Sequence, residues 1–193
     1  MKNWESMDTS EHRWKGRVVL GGDRIKKANG QWAIFEDVGS TLASMQATRI
    51  AIALDAAVKM YQLLQSDCIR AYVQALLSGP KTFIRMPKAW WPKSWHKFVD
   101  PVCPLDYALY GHPAAGDCWA DRFAEVLLTL GFKKVAGWMA VFIHQGPNND
   151  IVTFIVDVDD LVMLGGPRMI KLIGVVREHI EMDELVGLQK YLG

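Results

Sequence analysis

Three of the four residues in the tetrapeptide Asp157-Val158-Asp159-Asp160 are carboxylates, and the stretch around them reads IVTFIVDVDDLVML, 151–164. Strongly apolar runs flank the acidic group on both sides. Two buried strands therefore meet at a turn that concentrates negative charge. Neighbouring carboxylates repel, and each raises the pKa of the next unless a cation compensates. A divalent metal is the usual compensation, and hard carboxylate oxygens suit Mg2+ or Mn2+. A solvated acidic β-turn fits the same four residues, because Asp is common in turns.

Asp67 stands in a similar setting. It follows the apolar stretch MYQLLQS, 60–66, and precedes a turn of small residues. If strand 60–66 lies beside the 151–164 hairpin, Asp67, Asp159 and Asp160 converge at one edge of a sheet. Such a set can clamp two metal ions about 3.5–4 Å apart for in-line phosphoryl transfer. One ion would lower the pKa of an attacking 3′-hydroxyl, and the other would hold a triphosphate and its leaving pyrophosphate.

The elements that must position these residues follow from periodicity and breakers. Residues 1–13 read as a loose polar arm. Residues 16–20 (GRVVL) suit a short strand ended by Gly21, Gly22 and Asp23. Ser40 or Thr41 caps a helix predicted over 41–58, with Ala43, Ala47, Ile50, Leu54 and Val58 on one buried face. A strand over 60–66 delivers Asp67, and 68–78 form a short helix or turn closed by Gly79-Pro80. Five prolines break residues 80–104, leaving one strand from Thr82 to Met86. Asp117 caps the next helix, whose stripe is Phe123, Val126, Leu127 and Leu130, with Gly131 at C′. The apolar runs 137–144 and 151–156 flank the hairpin loop QGPNND. After the acidic turn comes LVML, and Pro167 at N1 opens a last helix carrying Ile173, Val176 and Ile180 on one face. The order of elements predicts an α+β fold with a largely antiparallel sheet.

The bulk composition is that of a globular protein. The 193 residues carry a net charge of +1, so total charge gives no sign of nucleic-acid binding. The cations cluster nevertheless: six lie between Arg13 and Lys27, and five between Lys81 and Lys97. Trp90, Trp91 and Trp95 sit in the second cluster, in a Pro- and Lys-punctuated stretch that suits a partly exposed surface. Cys68, Cys103 and Cys118 are far apart and form no CxxC pair, which fits free thiols rather than zinc. Cys118 reads as a buried thiol, and His96, His112, His144 and His179 show no ligand spacing. No apolar run reaches the roughly 18–20 residues of a membrane span.

In the order of its motifs the stretch from Trp14 onward resembles the reverse-transcriptase domain of copia-type retrotransposons. The carriers are WKGRVVLGG at 14–22, QSDCIRAYVQA at 65–75, ALYGHPAAGDCW at 108–119, IVDVDDLV at 155–162 and EMDELVGLQKYLG at 181–193. The resemblance implies a palm-like sheet with partial fingers over 14–193, and no thumb or ribonuclease H within those residues. It implies an RNA-directed DNA polymerase, a nucleotidyltransferase using two Mg2+ or Mn2+ ions held by Asp67, Asp159 and Asp160. Tyr72, five residues after Asp67, would be the aromatic gate that crowds a 2′-hydroxyl. Lys15 and Arg17 would contact the incoming triphosphate. The implied partners are a primer on an RNA or DNA template and deoxynucleoside triphosphates, with a second copy of the chain or the rest of a polyprotein beside them. No membrane is implied. The implied location is cytoplasmic, in a retrotransposon particle, or nuclear.

The sequence departs from that pattern at particular positions. Asp157 stands where the family places an aromatic residue. His112, Pro113 and Ala114 replace an expected glutamine and its basic neighbours, and Asp106 and Tyr107 stand where lysines are common. These departures leave a second reading open, a decayed remnant that folds without polymerising. An apolar strand running into DVDDL also resembles the aspartate motif of haloacid-dehalogenase-like phosphatases. That motif opens its fold near the N-terminus, whereas only 33 residues follow Asp160 here.

Overall fold

The computed structural model describes residues 16–27, 29–35 and 43–188. The polar arm 1–13, Lys15, Ser40 and Thr41 lie outside the described residues. Eight strands and three α-helices are formed among those described. The strands are β1 (Gln62–Asp67), β2 (Phe83–Ile84), β3 (Cys103–Pro104), β4 (Lys133–Val135), β5 (Trp138–Gln145), β6 (Ile151–Asp157), β7 (Asp160–Gly165) and β8 (Val186–Gly187). The helices are α1 (Met45–Ala57), α2 (Ala115–Thr129) and α3 (Arg168–Arg177). Six strands form one sheet in the order β4-β5-β6-β7-β1-β8, and every pairing in it is antiparallel. The predicted α+β class with an antiparallel sheet therefore holds.

The two faces of the sheet are covered differently, because alternate residues of a strand point to opposite sides. Phe154, Leu161 and Met163 face a large core with Trp119, Phe123 and Leu127 of α2 and Met169, Ile173 and Val176 of α3. Ile155, Val162 and Leu164 face a smaller core with Ala47 and Ala51 of α1. Burying aliphatic and aromatic side chains at about 25 cal/mol per Å2 makes the first core the main stabilising mass.

Gly131 ends α2 as expected. Its φ is +89°, Phe132 N donates to Leu127 O, and Gly131 N donates to Leu128 O, which is a Schellman closure. At the other end the expectation fails. Ala114 precedes the helix without a side-chain cap, and Asp117 sits inside the first turn. There its carboxylate still faces the positive end of the helix dipole. Pro167 stands just before α3 rather than as its first residue.

Three further expectations are corrected. The helix predicted over 41–58 begins at Met45, and Ser44 caps it by accepting a hydrogen bond from Gln46 N at 3.2 Å. Its buried face is Ala47, Thr48 and Ala51, whereas Ile50 is 51% and Leu54 42% exposed. Small residues let the helix approach the sheet closely, so the larger aliphatics are pushed to its flanks. Residues 16–20 form no strand. They are largely exposed, and β8 rather than this segment pairs with the free edge of β1. Leu20 N donates to Tyr110 O at 2.7 Å. The strand expected from Thr82 to Met86 is cut to Phe83–Ile84. All three cysteines are free thiols. Among the described residues no helix is long and apolar enough to cross a membrane.

Candidate active site

The carboxylates gather because β1 and β7 are neighbours. Asp67, the last residue of β1, lies opposite Asp160, the first of β7. On the other side of β7, Asp160 lies opposite Asp157, the last residue of β6. Directly opposed residues present their side chains to the same face. Asp67, Asp160 and Asp157 thus form one row across three strands. Asp159 occupies the two-residue turn between β6 and β7, and its carbonyl accepts a hydrogen bond from Cys68 N at 2.6 Å. The end of β1 and the acidic turn are tied together through that bond.

The turn itself is held under strain. Val158 has φ +57°, a left-handed conformation that a β-branched residue rarely adopts. Its carbonyl accepts the indole N–H of Trp119 at 2.5 Å, and Trp119 is fully buried. The α2 helix therefore clamps the turn that carries Asp159.

The electrostatics show an uncompensated cluster. Burial pushes the Asp160 carboxyl up to about 6, aided by the charges of Asp67, Asp159 and Asp157 and by a hydrogen bond with Asp67. Burial, followed by the charges of Asp159, Asp67 and Asp160, also raises the Cys68 thiol, so it stays protonated and inert. Among the described residues none of the four aspartates forms a salt bridge. Hard, uncompensated carboxylates suit Mg2+ or Mn2+ by their chemistry. Their arrangement is not preformed: among the described residues no group of three or more His, Cys, Asp or Glu is disposed to hold a metal ion.

Asp157 has a different employment. Its Oδ1 accepts the backbone N–H of Ala43 at 3.2 Å, and it is buried. It anchors the chain just before α1 to the acidic turn. The phosphatase-like reading, which needs Asp157 as a free nucleophile, finds that carboxylate already committed.

Tyr72 lies in the 3-10 turn Ala71–Gln74, entered through Arg70 in the left-handed region. Gln74 holds that turn by donating to Ile69 O at 2.7 Å. The Tyr72 phenol is raised by burial first, and then by the charges of Asp159 and Tyr110. Its ring centroid is 4.6 Å from that of Tyr110. The Arg17 guanidinium sits 5.4 Å from the Tyr110 ring centroid. Arg17, Tyr110 and Tyr72 thus form a continuous row of side chains.

Tyr110 was given no role on sequence grounds, although ALYG was singled out. The available signal was an aromatic residue beside a turn glycine. Gly111 has φ +86°, and a Cβ there would fall 2.0 Å from Leu20 O. A Cβ on Gly22 would fall 2.0 Å from Gly111 O. Only glycine on both sides lets the basic segment lie against the Tyr110 turn.

The structure thus brings Asp67, Asp157, Asp159, Asp160, Tyr72 and Arg17 into one neighbourhood and adds Tyr110. Lys15 lies outside the described residues. A family model described as reverse transcriptase (RNA-dependent DNA polymerase) matches residues 2–193. No solved structure matches the chain.

Proposed function

Because the chain belongs to the reverse transcriptase (RNA-dependent DNA polymerase) family, we propose that it extends a primer with deoxynucleotides on an RNA or DNA template, as a copia-type palm with partial fingers. Asp67 and Asp159 would hold two divalent ions, Mg2+ or Mn2+, with Asp160 assisting. When bound, those ions would supply acidity at the primer 3′-hydroxyl and neutralise the triphosphate. Cys68 N and the Trp119 indole hold the backbone carbonyls of the acidic turn, from which the Asp159 carboxylate would reach the ions. Tyr72 would crowd a 2′-hydroxyl and so favour deoxynucleotides. Arg17, and Lys15 two residues before it, would meet the phosphates of the incoming nucleotide. The partners of this reading are a primer–template, deoxynucleoside triphosphates and either a second copy or the rest of a polyprotein. Its setting is an intracellular retrotransposon particle, cytoplasmic or nuclear.

One observation carries this reading: Asp67 stands in register opposite Asp160, with Asp159 one residue away in the turn. The test is primer extension on an RNA template with Mg2+, beside an Asp159→Asn control. Extension that needs the metal and is lost in the variant supports the reading.

A second reading is a remnant that folds and polymerises nothing. It is favoured by the absence, among the described residues, of a preformed metal-holding group and by the commitment of Asp157 to Ala43. Lack of any metal-dependent extension by the wild-type chain selects it.

A further inference from the structure

Residues 81–104 form an arm with an unusual balance. They hold five Lys and Arg against a single Asp, a net +4, in a chain whose total is only +1. The rest of the chain is therefore net negative. The same stretch holds Phe83, Trp90, Trp91, Trp95 and Phe98. None of its residues is buried.

The arm is nonetheless fixed. β2 and β3 pair at its base, Arg85 binds Asp100 through two hydrogen bonds of 2.6 and 2.7 Å, and the Trp91 indole donates to Met86 O at 2.8 Å. Lys88 lies 5.8 Å from the Trp91 ring centroid and Lys97 lies 5.2 Å from that of Phe98. Trp90 is 55% exposed, and among the described residues neither a ring nor a cation stacks on it. At the base, the Thr82 hydroxyl hydrogen-bonds His112 at 3.2 Å, two residues beyond Tyr110. The arm therefore grows from the rim of the candidate active site.

Trp90 is exposed together with Phe83 and Phe98, while Trp91 and Trp95 are half-buried, and exposed apolar faces gathered among cations mark an interaction surface. A partner that covers flat aromatic faces and neutralises interleaved cations is single-stranded nucleic acid, whose bases stack and whose phosphates pair with Lys. We propose that the 81–104 arm is a second, sequence-tolerant site for single-stranded nucleic acid, with Trp90 as a base-stacking platform and Lys88, Lys93 and Lys97 as phosphate contacts. This site is separate from the carboxylate cluster and does not depend on polymerisation.

The test uses the full chain and homopolymeric single-stranded oligonucleotides, with binding followed by fluorescence anisotropy in buffer free of divalent metal. Trp90→Ala weakens binding roughly 5- to 150-fold, the usual loss of one base–aromatic stack. Replacing Lys88, Lys93 and Lys97 together by Gln lowers the slope of log K against log salt by about 2. These positions are exposed, and circular dichroism checks that the variants fold. Wild-type affinity and salt slope in both variants overturn the proposal. So does polyglutamate competing as well as the oligonucleotide with Trp90→Ala silent, which makes the arm a site for acidic protein. A chain that extends no primer yet binds single strands through this arm retains this inference and loses the polymerase reading.

Discussion

Asp67 and Asp160 face each other across β1 and β7, at the paired ends of the two strands. Asp157 extends the row, opposite Asp160 on its other side. The arrangement favours binding of a cation over folding stability: burial, and then the charges beside it, raise the Asp160 carboxyl.

Asp67→Asn should therefore raise the metal-free melting temperature while removing the response to Mg2+. Wild-type chain should gain about 1 kcal/mol when Mg2+ is present at about five times its dissociation constant. Scanning fluorimetry with and without the metal reads both effects. An undiminished Mg2+ response in Asp67→Asn excludes this carboxylate from the metal site.

Substituting Tyr72 by Val should leave the fold intact, because the ring is only half-buried, and should relax sugar discrimination. Ribonucleotide incorporation relative to deoxynucleotide incorporation is expected to rise roughly 10- to 200-fold, the range a single pocket contact provides. Unchanged discrimination in single-nucleotide extension assays rules out the gate.

Gly111→Ala places a Cβ 2.0 Å from Leu20 O at a residue whose φ is +86°. Neither the overlap nor the backbone strain can be relieved without moving the basic segment off the Tyr110 turn. A loss of about 1–3 kcal/mol is expected from the backbone strain alone. Trypsin should also cut faster after Arg17 and Arg24. Wild-type cleavage rates would show that the segment is held elsewhere.

Removing the indole donor by Trp119→Phe leaves the Val158 carbonyl without its partner. Losing a part-buried hydrogen bond costs about 0.5–1.5 kcal/mol, and the strained Val158 turn should lose its fixed geometry. We expect lower stability together with a kcat loss larger than any change in KM. A stability loss with unaltered kcat means the clamp is purely structural.

His112 gives the pH dependence. It is buried, its Nδ1 accepts from Ala114 N at 3.1 Å, and its ring nitrogen Nε2 pairs with the Thr82 hydroxyl. The neutral ring satisfies both contacts, and burial lowers its pKa below the ordinary value. Below about pH 6.5 the unfolded chain thus binds a proton that the folded chain refuses. The His112 contribution to stability falls as pH drops through that region and levels off only below the folded pKa. The Asp160 carboxyl, raised to about 6, acts in the opposite sense over the same window, so the His112 contribution is read as the difference between wild-type and His112→Gln melting curves from pH 7.5 to 5. Identical slopes in both proteins would assign the effect to other groups.

The sequence by itself determined the strands and helices whose signals are local. Alternating and continuous apolar runs marked β5, β6 and β7, the acidic turn lay between two of them, and Gly131 marked the end of α2. Asp67, Asp159 and Asp160 were legible as candidates because Asp67 ends one apolar strand, Asp160 begins another and Asp159 stands in the turn just before it. What only the tertiary structure decided was proximity between distant residues. Asp157 and Ala43 are 114 positions apart, and nothing local in either says that one will anchor the other. Tyr110 reaches Tyr72 and Arg17 only because two glycines allow the backbone of 16–24 to touch the 110–112 turn. The face of α1 was misread for a related reason. Periodicity identifies apolar positions, but the depth at which a helix settles on a sheet is set by packing, and Ala47 and Ala51 could approach where Ile50 and Leu54 could not.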